Sequence, residues 1–310
     1  MEDKPLSPVK NRLVKGAVQV QQSPLDPETG YAPHALVQAA LPYRETQKLK
    51  ASPVWEIKNG NFGLVIQPGW DLKKSCSIGY PTGTIPRLIL FWMTTEAKLK
   101  QSRRLELGGS LNEFVRRLGL NTANGGGKRS DKKRLKEQMK RLFRARISFQ
   151  IFGDDDDSGF DRWMDMQIAP EGQILWSELY PDSPSLFENW IELGDRFFDA
   201  IMENAVPVDM RILHHIQHSP MALDLYTWLT YKAYKTWKSG KMAKVPWPSI
   251  KQQLGSSYSR LRDFRENARQ HLREINQLYP CLNIEEEDNC LLIRPSRPSV
   301  LPAPPLRLAK

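Results

Sequence analysis

Three groupings in the 310-residue sequence hold side chains spaced for chemistry. "GGGKRSDKKRLKEQMKRLF", from Gly125, sets glycines against lysine as a phosphate-cradling loop does. A P-loop also needs an earlier glycine at fixed spacing, a hydroxyl after the lysine, and a buried strand ahead. Taking Gly127-Lys128 as the junction puts Thr122 at the glycine position and Arg129 at the hydroxyl position, behind a helical pattern. "HHIQH" places His214 and His218 one helical turn apart, which is zinc-ligand spacing. A metalloprotease helix needs glutamate beside the first histidine; His215 stands there, and no third ligand is evident. "DDDDSGFDRWMD" sets Asp154, Asp156, Ser158 and Asp165 at ligand positions of a calcium loop and Gly159 at its turn position. That loop joins helices and usually ends in glutamate, whereas this one joins strand patterns and ends in aspartate. No pattern of a metal-dependent nickase is present either. The expectation is a binding protein with no enzymatic activity, no catalytic residue, no cofactor and no metal.

The basic residues that fail as a nucleotide loop succeed as a helix face. Leu135, Met139 and Leu142 share one side, while Arg129, Lys133, Lys136, Lys140 and Arg144 lie roughly 130° away. Ten basic residues fall between Lys128 and Arg146, against only Asp131 and Glu137. Like charges at helical spacing repel, so a stripe of one sign asks for an anion, and a duplex supplies a lattice of phosphates. A second long helix follows "SSYSR", with Leu261, Phe264, Ala268, Leu272 and Ile275 as its core stripe. Arg262, Arg265, Arg269 and Arg273 line up roughly 100° round from it, and Asp263, Gln270 and Glu274 take a third face. Arginine forks onto guanine O6 and N7, which makes this helix the candidate base reader. The lysine-rich helix suits phosphate positioning. The candidate DNA contacts are Lys128, Arg129, Lys132, Lys133, Lys136, Lys140 and Arg144 in the first stretch. In the second they are Ser256, Ser257, Tyr258, Arg260, Arg262, Arg265, Arg269 and Arg273, with an Arg262–Glu266 pair as the competing reading of that arginine.

The elements that must hold these helices repeat along the chain. "PRLILFWMTTEAKLK" predicts a largely buried helix. "GGSLNEFVRRLG" predicts a short one, with Ser110 and Glu113 as a capping box and Gly119 as its stop. The basic helix comes next, then strands around Ile147, Phe149 and Ile151 and around Met164, Met166 and Ile168, with an acidic tip between them. The second half runs in the same order: "SPMALDLYTWLTYKAYK", "WPSIKQQLG", the arginine-rich helix, then "CLNI" and "CLLIR" around "EEEDN". Helix, helix, basic helix and hairpin is the order of a winged helix. The expected fold is mostly α with short β-hairpins (α+β), as two tandem winged-helix domains. Residues 36–180 form the first and 181–296 the second, between a disordered tail at 1–35 and a disordered proline-rich tail at 297–310.

The formal charge of +10, from 45 Lys plus Arg against 35 Asp plus Glu, fits a polyanionic partner. No apolar run approaches the ~20 residues of a membrane span, and the first residues lack a signal peptide's apolar segment. Cys76, Cys281 and Cys290 form no CxxC pair and read as reduced thiols, so a cytoplasmic protein with no membrane partner is expected.

From about Pro33 to Ser299 the chain resembles the plasmid-encoded RepA replication initiators of broad-host-range plasmids. The resemblance rests on "LPYRE", "YPTGTIPRLILFWMTTEAKLKQSRRLELGGSLNEFVRRLGL", "GGGKRSDKKRLKEQMKRLF", "LDLYTWLTYKAYK" and "WPSIKQQLGSSYSRLRDFRENARQHLREINQLYPCLNI". Leu254 stands where related sequences tend to carry phenylalanine, a conservative departure. The resemblance implies binding of repeated sites (iterons) at a double-stranded plasmid origin, opening of an adjacent segment and recruitment of host proteins, the helicase and the host initiator. It also implies a homodimer through the first domain, repression of the protein's own gene, copy control, and a second domain that does most of the base reading. A winged-helix transcriptional repressor is the alternative.

Overall fold

The computed structural model describes residues 8–22, 27–122, 131–152, 161–177, 180–185 and 187–301. Its first half runs through helix α1 (Pro8–Gln22) and strands β1 (Thr29–Ala32), β2 (Trp55–Asn59) and β3 (Phe62–Gln67). Helices α2 (Thr84–Lys100), α3 (Leu111–Arg117) and α4 (Asp131–Phe143) follow, then strands β4 (Arg146–Phe152) and β5 (Asp161–Gln167). The second half holds α5 (Asp195–Asn204), β6 (Val206–Asp209), α6 (Met210–Ile216), α7 (Pro220–Ser239) and β7 (Ala243–Pro246). It ends with α8 (Trp247–Gln253), α9 (Leu261–Leu278), β8 (Ile284–Glu287) and β9 (Cys290–Ile293). The fold is mixed α/β, with several small antiparallel sheets among the helices.

The repeated order is present. α2 and α7 are apolar round most of their circumference because each is covered on several sides. α2 sends Ile89, Met93 and Ala97 into one core and Leu88 and Phe91 into the other. The short helices α3 and α8 end alike, at Leu118-Gly119 and Leu254-Gly255. Both glycines are left-handed (φ +68° and +57°), and both leucine N–H groups donate back one turn. The predicted cap holds, since Ser110 Oγ accepts from the Glu113 N–H at 3.2 Å. The Glu113 carboxylate returns to the Gly109 N–H at 2.9 Å rather than to Ser110.

Each hairpin is wider than the sequence suggests. β4 and β5 join β3 and β2 in a four-stranded sheet of order β2-β3-β4-β5, with Leu64 opposite Phe149 and Ile147 opposite Met166. Ile147 and Phe149 are buried as their alternation predicts, whereas Ile151 is 42% exposed where the strand leaves the core. In the second half β7 pairs with β9, and β9 with β8, around a tight turn at Asp288-Asn289, both at positive φ.

The expected tails are corrected at both ends. α1 packs its Val20 into the second core, and a Cβ on Gly16 would collide with the His215 ring. β1 pairs with β6 from Thr29 opposite Asp209 to Ala32 opposite Val206. The apolar stripe of α1 is short, so its order comes from tertiary docking rather than periodicity. At the other end, Tyr279 donates to the Arg297 carbonyl at 2.6 Å, Ser299 Oγ lies 3.3 Å from Tyr226 Oη, and Val300 is buried. Residues 302–310 lie outside the described residues. Ile191, Leu193, Phe197 and Ile201, beyond the expected boundary at 180/181, belong to the first core.

A buried ion pair joins the two halves. Arg87 of α2 donates to Asp224 of α7 at 2.8 and 2.7 Å, and also to the carbonyls of Gly83 and Leu41. Burial pushes the Asp224 carboxyl up, and the Arg87 guanidinium pulls it only part of the way back.

Candidate nucleic-acid interface

α4 buries Leu135, Met139 and Leu142, as its stripe predicts, and adds Phe143. Its cations are less available than a helical wheel implies. Lys136 Nζ donates to the Trp176 carbonyl at 3.0 Å, and Lys140 Nζ pairs with Asp71 at 2.9 Å. The Lys140 hydrogen bond is the main reason the Asp71 carboxyl sits below its ordinary value. Arg141 turns inward to the Tyr80 carbonyl, Glu137 and Glu45. Lys133 and Arg144 are exposed, and Lys132 is half-buried. Lys128 and Arg129, with the glycines before them and the whole of the acidic run Asp154–Gly159, lie outside the described residues. Asp71 and Glu45 come from segments far from α4 in the chain, so no local pattern announces them.

α9 is built as the sequence predicts on its inner side, with Phe264, Ala268, Leu272, Ile275 and Leu278 buried. Its arginines divide into two groups. Arg265 and Arg269 both close on Glu286, in β8 of the hairpin. Arg269 makes a bidentate fork, Nε to Oε2 at 2.8 Å and Nη2 to Oε1 at 2.9 Å. Arg265 adds Nη1 to Asn289 Oδ1 at 2.9 Å, and its guanidinium lies 5.8 Å from the ring centre of buried Trp247. The Trp247 indole N–H also donates to Glu286, at 2.7 Å. Burial alone would raise the Glu286 carboxyl, but the bonds from Arg269, Trp247 and Arg265 outweigh it and hold it below the usual range. Arg269 is pushed up by the same contact.

The other candidates face outward or serve local structure. Arg260 pairs with Asp263 at 3.0 Å, and Arg262 with Glu266 at 3.3 Å, the competing reading of that residue. Both arginines remain well exposed. Arg273 is exposed and has no ion-pair partner among the described residues. Ser257 is exposed. Ser256 Oγ accepts from the Tyr258 N–H at 3.3 Å, and Tyr258 packs edge-on to Phe264, so neither side chain is directed solely outward. A cationic strip that the sequence reading missed lies beside this hairpin. Lys238 and Lys241 are exposed at the end of α7, and Lys244 on β7 pairs with Asp288. Its signal was "KSGKMAK", a basic turn that belongs to no amphipathic period.

The histidine cluster is taken apart by the fold. His214 lies against Gly119 and His215 against Gly16, while His218 faces His271 and Glu274 of α9. Glu274, placed by the helical period on a third face of α9, is 8% exposed. No helix among the described residues is long and apolar enough to cross a membrane.

A family model described as plasmid-encoded RepA protein matches residues 80–247. No curated protein matches the chain. Among solved structures, the selenomethionine derivative of domains 2 and 3 of RctB is similar at a TM-score of 0.48 and 12% identity, covering 87% of this chain and 99% of that one. A second crystal structure of RctB domains 2–3 is similar at a TM-score of 0.42 and 14% identity, covering 83% and 94%.

Proposed function

The chain belongs to the plasmid-encoded RepA family, and from that premise we propose that it initiates plasmid replication by binding repeated sites in origin DNA. The observation that carries the proposal is the doubled order of buried helix, short helix, basic helix and hairpin, with cations on α4 and α9. We read each set as a winged helix. The first, within 36–180, holds phosphates and pairs with a second copy; the second, within 181–296, reads bases. The family match ends at Trp247, before α9, so the reading role of α9 rests on its place in the repeat and its arginines.

The work done is binding work in the cytoplasm, with no catalytic step. Cations on the two helices and the nearby Lys238–Lys244 strip neutralise phosphates and release counterions. Contact energy then offsets bending and local opening of the duplex. Arg262 and Arg273 face the solvent and meet DNA first. Arg265 and Arg269 reach bases only by exchanging Glu286 for an acceptor on the DNA, so base reading by these two is conditional on a good acceptor. Recruitment of the helicase and host initiator, and repression of the protein's own gene, follow from the same placement on origin DNA.

Footprinting on the DNA flanking the protein's own gene tests this. A protected array of direct repeats at helical-turn spacing supports an initiator. A single protected palindrome at the promoter would favour the repressor instead. Nicking of supercoiled origin DNA with magnesium, or hydrolysis of added ATP, would sink the binding-only reading.

A further inference from the structure

We propose that His218, His271 and Glu274 form a binding site for one divalent transition metal ion, zinc by preference, which ties α9 to the start of α7. The three side chains come from two elements: His218 from the turn after α6, His271 and Glu274 from successive turns of α9. Their ligand atoms all lie within 4.8 Å of one another. Glu274 Oε2 is the hub, 3.1 Å from His271 Nδ1 and 3.8 Å from His218 Nε2. Donors around a tetrahedral zinc at ordinary bond lengths stand about 3.3–3.5 Å apart. The two spacings to Glu274 bracket that separation. The His218–Glu274 spacing is too long for a hydrogen bond and close to that of two ligands sharing an ion.

The surroundings suit a ligand set. His271 Nε2 lies 3.0 Å from Ser219 Oγ, and the same oxygen caps α7 by accepting from the Ala222 N–H at 3.3 Å. The ring's tautomer decides which nitrogen carries the proton, and with the proton on Nε2, facing Ser219, the Nδ1 lone pair can share an ion with the Glu274 carboxylate 3.1 Å away. A partner on the far ring nitrogen is the usual support for a ligating histidine. Two imidazoles and one carboxylate select zinc and its transition-metal neighbours over magnesium or calcium, which take oxygen ligands. Three protein ligands leave one position to water. The ion would join the capped start of α7, which is anchored in the core, to the middle of α9, and so set the angle at which that helix leaves the scaffold. This assignment goes beyond the DNA-binding reading and does not depend on it.

The test is titration of the full-length, chelator-treated chain, kept reduced, with zinc chloride by calorimetry and with cobalt(II) by visible absorption. One ion per chain, d–d bands on cobalt addition, and an unfolding midpoint raised by roughly 5 °C at about 100-fold excess over Kd are expected. His218→Ala, at a partly exposed position, should fold normally and weaken binding at least tenfold. Glu274→Gln and His271→Ala should do the same if they fold. Absence of binding would overturn the proposal. Binding unchanged in His218→Ala would also overturn it, by assigning the ion to the exposed Cys76 or Cys281 or to another histidine. So would a stability that responds to pH and not to zinc, since the cluster would then be only a hydrogen-bonded relay.

Discussion

Replacing Glu286 should make the protein bind DNA more tightly while folding less stably. The carboxylate accepts from Arg265, Arg269 and the Trp247 indole, and among the described residues no other acid makes an ion pair with those two arginines. Charge-assisted bonds of this kind are worth about 1.5–3 kcal/mol when well buried. Here the paired side chains are 26–41% exposed, so solvent screening brings the ionic part down to roughly 1 kcal/mol. Glu286→Gln keeps an oxygen for Trp247 and should cost about that amount. Glu286→Ala also strands a buried indole N–H and should cost about 2–4 kcal/mol. DNA no longer has to displace a carboxylate, so Glu286→Gln should bind roughly 5–10-fold more tightly. Up to two freed guanidiniums should also steepen the salt dependence by about 0.9 in log–log slope each. The gain should be larger on scrambled than on origin DNA, because the carboxylate admits only acceptors good enough to replace it. Urea unfolding and fluorescence anisotropy on both duplexes read these quantities. A folded Glu286→Gln protein with unchanged or weaker binding would mean that the two arginines are struts of the hairpin and do not contact DNA.

The same carboxyl sets a pH signature. Its folded value is depressed, so its stabilisation is present at neutral pH and lost as pH falls below about 4.3. The urea midpoint of Glu286→Gln should therefore fall less than that of the parent in that window. Arg265→Ala or Arg269→Ala should relax base preference, whereas Lys140→Ala should weaken binding on every sequence, which competition gel shifts separate. Equal losses on all sequences from both classes would contradict the division of roles between α4 and α9. With on the order of 6–10 phosphate contacts, affinity should fall roughly 10³–10⁵-fold between 50 and 200 mM salt, and a shallow slope on a specific site would count against a two-helix footprint. Arg87→Met should cost about 3–5 kcal/mol by leaving Asp224 buried without its partner, and Arg87→Met with Asp224→Leu should recover much of that in chemical denaturation.

The order of the principal helices, the two buried scaffolding helices, the caps at Ser110 and Gly119 and the inner faces of α4 and α9 were all legible along the chain. These follow from periodicity and local capping, which act between residues a few places apart. The surplus of cations was legible there as well, and so was the family resemblance that the match over residues 80–247 bears out. The tertiary structure decided which of those cations are available, because their partners are remote in the chain. Asp71 holds Lys140, the Trp176 carbonyl holds Lys136, and Glu286 holds Arg265 and Arg269. It also decided that α1 and β1 are folded, since a short apolar stripe and a four-residue strand gain order only from the surface they pair with. And it separated His218 from His214 and set it beside His271 and Glu274, a grouping made by helix packing and invisible to any spacing along the chain.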